Sequence, residues 1–381
     1  MTDELILTRA RLILEQDIVH GTLVVRDGCI HDIASGTSRV AGAIDCEGDD
    51  VIPGLVELHT DNLEKHLMPR NGVLWPVLPA VMTHDAQCVA AGITTVFDAL
   101  AVGDLEGESV RLDTLFSAFD AINEGRTRGV LRAGHLFHLR CELAWPKLVP
   151  TLLRLIGHPS VGLLSVMDHT PGQRQYRDIE QYRKYYAKKT VGWNNDTFLA
   201  AVEERHQQQA LHAADNKAAV LQLAAHHSLV LASHDDTEES HIDEAVRDGV
   251  SLTEFPTTAT AARAARQAGL QIIMGAPNVV RGGSHSGNVA ALDLARDGLL
   301  DILSSDYVPV SLLHGAYLLA QQGGYTLPRA IATVTANPAR ATGLLDRGRL
   351  AVGCRADLVR VTGTPDCLHI KTVWRAGERI Y

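Results

Sequence analysis

Short apolar runs rich in β-branched residues recur through the middle of the chain and alternate with stretches of helical spacing. The runs are Leu55–His59, Thr94–Ala99, Leu131–Leu139, Val161–Met167, Leu229–Ser233, Ser251–Phe255, Gln271–Gly275 and Asp301–Ser304. Eight buried strands separated by helices predict an α/β fold, a (β/α)8 barrel over residues 53–344. An open doubly wound sheet is the alternative, and it is disfavoured because no G-x-G-x-x-G follows any of these strands.

The two ends of the chain show short strand-like runs bounded by turn residues, without helical spacing between them. Neither end alone has enough strands to close a core. We therefore predict one small β-sandwich assembled from both termini, residues 1–52 and 345–381.

Composition narrows the class of protein. The chain has 381 residues and a formal charge of −10, from 35 basic and 45 acidic residues, which argues against a general nucleic-acid or membrane-surface binder. No apolar run approaches the ~18 residues of a membrane span. Six scattered cysteines without C-x-x-C spacing indicate a reducing compartment, and the first residues lack a signal-peptide pattern. We expect a cytoplasmic protein.

Side chains that bind metals follow the ends of five predicted strands. His59 and Asp61 come at the end of the first strand, where alternate residues point to the same side and can reach one ion. A single histidine at a strand end is more often a hydrogen-bonded residue than a ligand, but the recurrence on one barrel face favours a metal site. The candidate ligands are His59, Asp61, Glu142, His169, His234 and Asp306. This donor set predicts one or two divalent ions, zinc first, with manganese or iron open.

Two of the carboxylates have predicted roles beyond binding one ion. Glu142 could bridge two metals ~3.5–4 Å apart, the spacing of two-metal sites. Asp306 is the predicted catalytic proton acceptor for a metal-activated water, and a helix N-cap is its alternative role. Asp168 precedes His169 and is better explained as a group that orients an imidazole.

Cationic side chains lie near the predicted site in an otherwise acidic protein, and guanidinium forks suit phosphate oxygens. The candidates are Lys65, His66, Arg70, Arg140, Arg174, Arg177, Lys188, Arg281 and His285. They favour a small polyanionic substrate. The alternative is a set of surface ion pairs, in particular for the basic, tyrosine-rich segment at 174–189.

Several motifs resemble those of the amidohydrolase superfamily of metal-dependent hydrolases. VIPGLVELHTD resembles its Pro-Gly–His-x-His opening, ILSSD resembles its last-strand aspartate, and LAVGCRADLVRV with VWRAGERIY resembles its composite sandwich. HTDNLEKHLMPR, MDHTPGQRQYRD and GAPNVVRGGSHSGN resemble a narrower group, the diphosphatases of phosphonate catabolism. That resemblance implies a phosphorylated-sugar substrate, a ribose methylphosphonate triphosphate cleaved to its 5-phosphate and pyrophosphate.

The chain departs from the superfamily pattern in its ligands. Asp61 stands where the second opening histidine is expected, and no lysine stands at the position of a carboxylated bridge, so Glu142 would replace it. His169 and His234 follow the fourth and fifth predicted strands, one earlier than is usual. A hydrolase of a cyclic amide or N-acyl carbon–nitrogen bond is the alternative function, and a scaffold without metal is a third. An apolar face outside the pocket could pair subunits into a homodimer.

Overall fold

An eight-stranded parallel sheet forms the centre of the molecule. The computed structural model describes residues 4–104, 110–176, 179, 182–183, 194–284, 286–364 and 367–381. The strands of the central sheet, numbered in chain order, are β6 (Leu55–Thr60), β7 (Ile93–Val102), β8 (Gly134–Glu142), β9 (Val161–Met167), β10 (Val230–His234), β11 (Leu252–Glu254), β12 (Gln271–Gly275) and β13 (Ile302–Ser304). Each strand pairs with the next in parallel, and the Asp306 N–H donates to the His59 carbonyl at 3.1 Å across the remaining gap. The predicted (β/α)8 barrel is confirmed.

The third barrel strand begins later than predicted. The N–H groups of Arg132 and Ala133 donate to the Asp85 carboxylate at 2.9–3.1 Å. These two residues are therefore bonded to a helix and precede the strand. The strand proper runs Gly134–Glu142. Glu142 is therefore the last residue of a strand, and its side chain is at the carboxyl edge of the sheet.

Helices cover the outside of the barrel. In the described residues they are α1 (Leu63–Leu67), α2 (Val77–Ala90), α3 (Val110–Thr127), α4 (Leu148–Leu152), α5 (Asn195–His226), α6 (Glu239–Arg247), α7 (Ala259–Gln267), α8 (Ala276–Arg281), α9 (Ala291–Arg296), α10 (Ser311–Gln322), α11 (Leu327–Ala332) and α12 (Ala336–Ala341), with a 3₁₀ turn at Arg174–Tyr176. Side chains such as Leu58, Phe97 and Ile273 fill the barrel interior. A larger apolar layer lies between strands and helices. None of the described helices is long and apolar enough to cross a membrane.

Both termini build a second sheet, as predicted. Its strands are β1 (Glu4–Ile13), β2 (Ile18–Arg26), β3 (Cys29–Ser35), β4 (Ile44–Asp45), β5 (Asp50–Pro53), β14 (Leu358–Thr364), β15 (Cys367–Arg375) and β16 (Glu378–Arg379). The order is β16-β15-β14-β5-β1-β2-β3, with β4 paired to β1, so β5 joins the C-terminal strands to the N-terminal ones. The boundaries at 52/53 and 344/345 stay predictions.

Gly54 connects this sheet to the barrel. Its N–H donates to the Asp357 carbonyl at 2.7 Å. A Cβ here would lie 2.3 Å from Thr94 Oγ1 and 2.9 Å from Asp357 Cβ, distances that no side chain tolerates. The glycine of the Pro-Gly motif thus allows the two sheets to approach closely, and this fixes where β6 begins.

Candidate active site

The carboxyl ends of the barrel strands surround a cavity of about 300 Å³. All six predicted metal ligands line it: His59, Asp61, Glu142, His169, His234 and Asp306. Residues from five strand ends therefore converge, as expected for the catalytic face of a barrel. His169 follows the fourth strand and His234 ends the fifth, so the strand count made from the sequence is confirmed, and an unusual ligand layout stays a prediction.

Glu254, at the end of β11, holds two of the imidazole rings. Its Oε1 lies 2.9 Å from His59 Nδ1 and its Oε2 lies 3.2 Å from His234 Nδ1. Burial alone would raise the pKa of Glu254, but the neighbouring His59 ring and the hydrogen bonds from His234 and His59 bring it well below its usual range. Because an ionised carboxylate only accepts hydrogen bonds, each Nδ1 carries a proton and Nε2 is the ring nitrogen that faces a metal.

Glu142 holds the third ring. Its Oε2 lies 2.7 Å from His169 Nδ1, and its Oε1 accepts from the His169 backbone N–H at 3.2 Å. Burial lowers the pKa of His169, but the Glu142 charge outweighs it and the net shift is upward. Both Glu142 oxygens thus accept from His169, and bridging of two metals stays a prediction.

Asp306 follows β13 in a left-handed backbone conformation, with φ of 53°. Its carbonyl accepts from the Thr60 hydroxyl at 2.8 Å, which ties it to the end of β6. Burial, and then the nearby Asp61 carboxylate, raises the pKa of Asp306 to about 6. A buried carboxyl with a raised pKa at the cavity wall is suited to proton transfer near neutral pH.

Three buried residues were not among the predicted ligands and substrate-binding residues: Glu254, Asp235 and His138. Glu254 lies within one of the apolar runs. The only signal for it in the sequence is an acidic residue inside a predicted strand. Asp235 follows His234 in the segment SHDD, which does not distinguish it from Asp236. His138 is neutral, because burial lowers its pKa to about 3, and its two nitrogens bond the Leu58 carbonyl at 3.0 Å and a serine hydroxyl at 2.9 Å.

Two of the predicted cations line the cavity and one lies beside it. Arg140, on β8, is only 7% exposed, and its Nε has no hydrogen-bond partner among the described residues. Arg281, the last residue of α8, lines the cavity together with Ser284 and Ser286 of the glycine-rich loop. The Lys65 ammonium donates to the carbonyl of Tyr307, a lining residue, and sits 5.3 Å above its ring.

The other predicted cations lie elsewhere. His66 bonds Gln87 at 3.0 Å, Arg70 is exposed after α1, and neither is among the lining residues. Arg174 donates to the His234 carbonyl at 3.0 Å and to Asp236, so its guanidinium holds the segment behind the cavity. Arg177, Lys188 and His285 lie outside the described residues.

The donor atoms in the cavity fit a divalent cation. Ligand atoms of His169, His234 and Asp235 all lie within 4.8 Å of one another. Asp235 is 5% exposed, yet its Oδ2 accepts no hydrogen bond from the residues that the structure describes. Imidazole nitrogens together with carboxylate oxygens are the ligands that zinc and similar ions take.

A second histidine–carboxylate group lies outside the cavity, between α2, β7 and β8. Asp98 accepts from His84 at 2.9 Å and from His135 at 2.8 Å, and His135 also contacts Asp85 at 3.2 Å. Burial alone would lower the pKa of His135, but the two aspartates raise it to about 9. These side chains satisfy one another, and the group holds α2 against the barrel.

Comparison with known proteins found a relative that matches this chain over its full length. The chain is 46% identical, over 99% of its length and 100% of the other chain, to the alpha-D-ribose 1-methylphosphonate 5-triphosphate diphosphatase of Escherichia coli (strain K12). Residues 195–381 match the model of the Amidohydrolase family.

Solved structures share the fold at low identity. The 5-methylcytosine deaminase of Klebsiella pneumoniae superposes with a TM-score of 0.66 at 17% identity, over 99% of this chain and 98% of that one. The N-acetyl-D-glucosamine-6-phosphate deacetylase of Mycobacterium smegmatis gives 0.65 at 16% identity, over 99% and 100%. With the strand-end constellation and the full-length relative taken together, this chain belongs to the amidohydrolase family of hydrolases.

Proposed function

We propose that this protein hydrolyses alpha-D-ribose 1-methylphosphonate 5-triphosphate to the 5-phosphate and pyrophosphate, in phosphonate catabolism. The substrate identity is supported by the full-length relative of that name at 46% identity. The observation within the site that carries the proposal is the Arg140 guanidinium, buried in the cavity with its Nε unpaired. A buried guanidinium N–H without a partner is costly, and a phosphate oxygen would satisfy it.

We assign the metal site to the residues that line the cavity. His59, Asp61, His169, His234 and Asp306 are the proposed ligands, and Glu142 either bridges two ions, as the sequence predicted, or orients His169. Zinc is the preferred ion, with manganese or iron as alternatives, and one or two ions are compatible with the donor set. A bound divalent ion would lower the pKa of a water from about 15.7 to about 7 and so supply the nucleophile.

The protein's own groups have separate tasks in the reaction. Asp306 accepts the proton that the attacking water loses. Arg140 donates to non-bridging oxygens of the attacked phosphorus, where negative charge accumulates. Arg281 neutralises charge nearer the loop. A new bond forms from water oxygen to phosphorus, the anhydride bond to the leaving phosphate breaks, and the electron pair stays with that leaving group.

A carbon–nitrogen hydrolase is the alternative predicted from the sequence. The deaminase and deacetylase structures share only the fold at 16–17% identity, and so do not favour it. A neutral amide carbonyl could accept a hydrogen bond from the Arg140 Nε, but it would bring no negative charge to the buried guanidinium. The charge of the site therefore argues for a phosphorylated substrate.

Metal-reconstituted protein should be incubated with the triphosphate in ¹⁸O-water and followed by phosphorus NMR. Pyrophosphate together with the 5-phosphate is the expected result. Label in the sugar phosphate would mean attack at the α-phosphorus, and label in pyrophosphate would mean attack at the β-phosphorus. Orthophosphate as the sole product would overturn the diphosphatase assignment. No turnover with metal bound would favour the carbon–nitrogen hydrolases.

We also propose a location in the cell and an oligomeric state. We propose that the protein is cytoplasmic, because a phosphorylated substrate would be retained there and the scattered cysteines would stay reduced. We also propose that two copies pair into a homodimer, which sedimentation of the purified chain would test.

A further inference from the structure

The two aspartates that follow β10 have opposite surroundings. Asp236 accepts from the Arg174 guanidinium through Oδ1, and its Oδ2 accepts from the Thr253 hydroxyl at 2.7 Å and from a second hydroxyl. Its hydrogen-bonding capacity is used in holding strands together. Asp235 lines the cavity, is 5% exposed, and its Oδ2 accepts no hydrogen bond from any residue in the described ranges.

Asp235 Oδ2 instead faces two imidazole nitrogens. It lies 3.5 Å from His234 Nε2 and 3.8 Å from His169 Nε2. The Nδ1 protons of these rings are donated to Glu254 and Glu142, so Nε2 is the nitrogen of each ring that can offer a lone pair to a metal. Three potential ligand atoms therefore converge in a buried site. A cation at their centre would satisfy all three at once.

The spacing of these atoms also fits an ion. Nitrogen and oxygen ligands lie about 2.0–2.1 Å from zinc, and tetrahedral geometry then places two such ligands ~3.4 Å apart.

The Asp235 backbone has φ of 56°, a left-handed conformation that costs free energy for a residue other than glycine. Its N–H donates to the Glu254 carbonyl at 2.9 Å, which holds this turn in place.

We propose that Asp235 is a metal ligand, binding a divalent cation through Oδ2 together with His169 Nε2 and His234 Nε2. This inference rests on the proposed function only in requiring a metal, not in requiring the phosphonate substrate. It adds to the predicted set a carboxylate that sits directly beside two of the histidines. Glu142, whose oxygens both accept from His169, then orients a ligand.

The test is zinc binding by the full-length apoprotein, without substrate. Asp235→Asn keeps the shape and tolerates the left-handed backbone, and Asp235→Gly keeps the backbone freedom while removing the carboxylate. Asp168→Asn is the matched control, because Asp168 directly precedes His169 in the chain. Its oxygens accept from the Thr170 N–H at 3.0 Å and from Gln209 at 3.0 Å, and among the described residues they bond no imidazole, contrary to the role predicted from the sequence.

We expect both Asp235 variants to bind zinc at least ~10-fold more weakly or to lose one ion, while Asp168→Asn binds as the wild type does. The visible spectrum of the cobalt-loaded protein should also change in Asp235→Asn, because a ligand of the ion has changed. Wild-type affinity and an unchanged cobalt spectrum in both Asp235 variants would overturn the proposal.

The same samples separate this inference from the proposed function. If the wild type binds zinc through Asp235 but releases no pyrophosphate, the diphosphatase proposal fails and the ligand assignment stands. If the wild type takes up no zinc, manganese or iron, both are overturned.

Discussion

His59 and Glu254 are 195 residues apart in the chain, and their side chains meet at 2.9 Å beneath the cavity. The same carboxylate reaches His234, so one acid on β11 sets the orientation of two rings from β6 and β10. A carboxylate behind a metal-binding imidazole fixes which nitrogen carries the proton. The site is thus shaped by residues that need not touch a substrate.

Replacing this acid should weaken metal binding. In Glu254→Gln the neutral amide no longer stabilises two ring N–H groups, and one oxygen replaces two as acceptor. We expect zinc affinity to fall by roughly 10–100-fold, measured by competition with a chelating dye. Glu239→Gln, at an exposed position on α6, is the control. Wild-type affinity in Glu254→Gln would contradict the role assigned to Glu254.

Glu142→Gln separates two roles for that residue. If Glu142 bridges two ions, the variant should lose one of them from its metal content. If it only orients His169, both ions should remain, with affinity reduced by roughly 10–100-fold. We expect the second result, because both Glu142 oxygens already accept from His169. Elemental analysis of the dialysed variant decides between the two.

Arg140→Lys should impair the reaction without loss of metal. The lysine keeps the positive charge but cannot present the paired N–H groups that match phosphate oxygens. We expect kcat/KM for the triphosphate to fall by about 10²-fold or more. Arg70→Lys, at an exposed position away from the cavity, should have wild-type kinetics. Equal kcat/KM values for the two variants would remove Arg140 from the substrate site.

Asp306→Asn should abolish turnover, because an amide cannot accept the proton that water loses. The measurement is the single-turnover rate of pyrophosphate release at saturating metal. Unchanged activity in this variant would contradict the assignment of Asp306 as proton acceptor. Metal content, measured on the same sample, distinguishes loss of the proton acceptor from loss of a metal ligand.

The group around His135 predicts how stability depends on pH. The pKa of His135 is raised to about 9, so its contribution is complete below the unfolded value of ~6.5 and is lost as pH rises through about 9. The free energy of unfolding should therefore fall across this window, by at most ~3 kcal/mol from His135. Urea unfolding between pH 6.5 and 9.5 tests this.

A matched variant isolates the effect. His135→Gln keeps a polar group between Asp85 and Asp98 but cannot carry the charge, so its stability should lack this slope. The low pKa of Asp98, about 2, reflects the same ion pair, because burial alone would raise it. A slope that persists unchanged in His135→Gln would show that other groups titrate in this window.

Some of this protein follows from its sequence alone. The eight apolar runs and the alternating termini predicted the barrel and the composite sheet, because the period of buried positions is a local property. His-x-Asp at a strand end and histidines after two further strands predicted the face that carries the site. This prediction was possible because each of these side chains lies within one or two residues of the strand that positions it.

Tertiary structure alone decided how these side chains are paired. Glu254 meets His59 and His234 only because β6, β10 and β11 are brought together in the barrel. Asp235 and Asp236 are equivalent in the sequence, and the structure separates them because one faces the cavity and the other accepts from Arg174 and Thr253. Hydrogen-bond partners are set by distance in space, and no spacing along the chain encodes that distance.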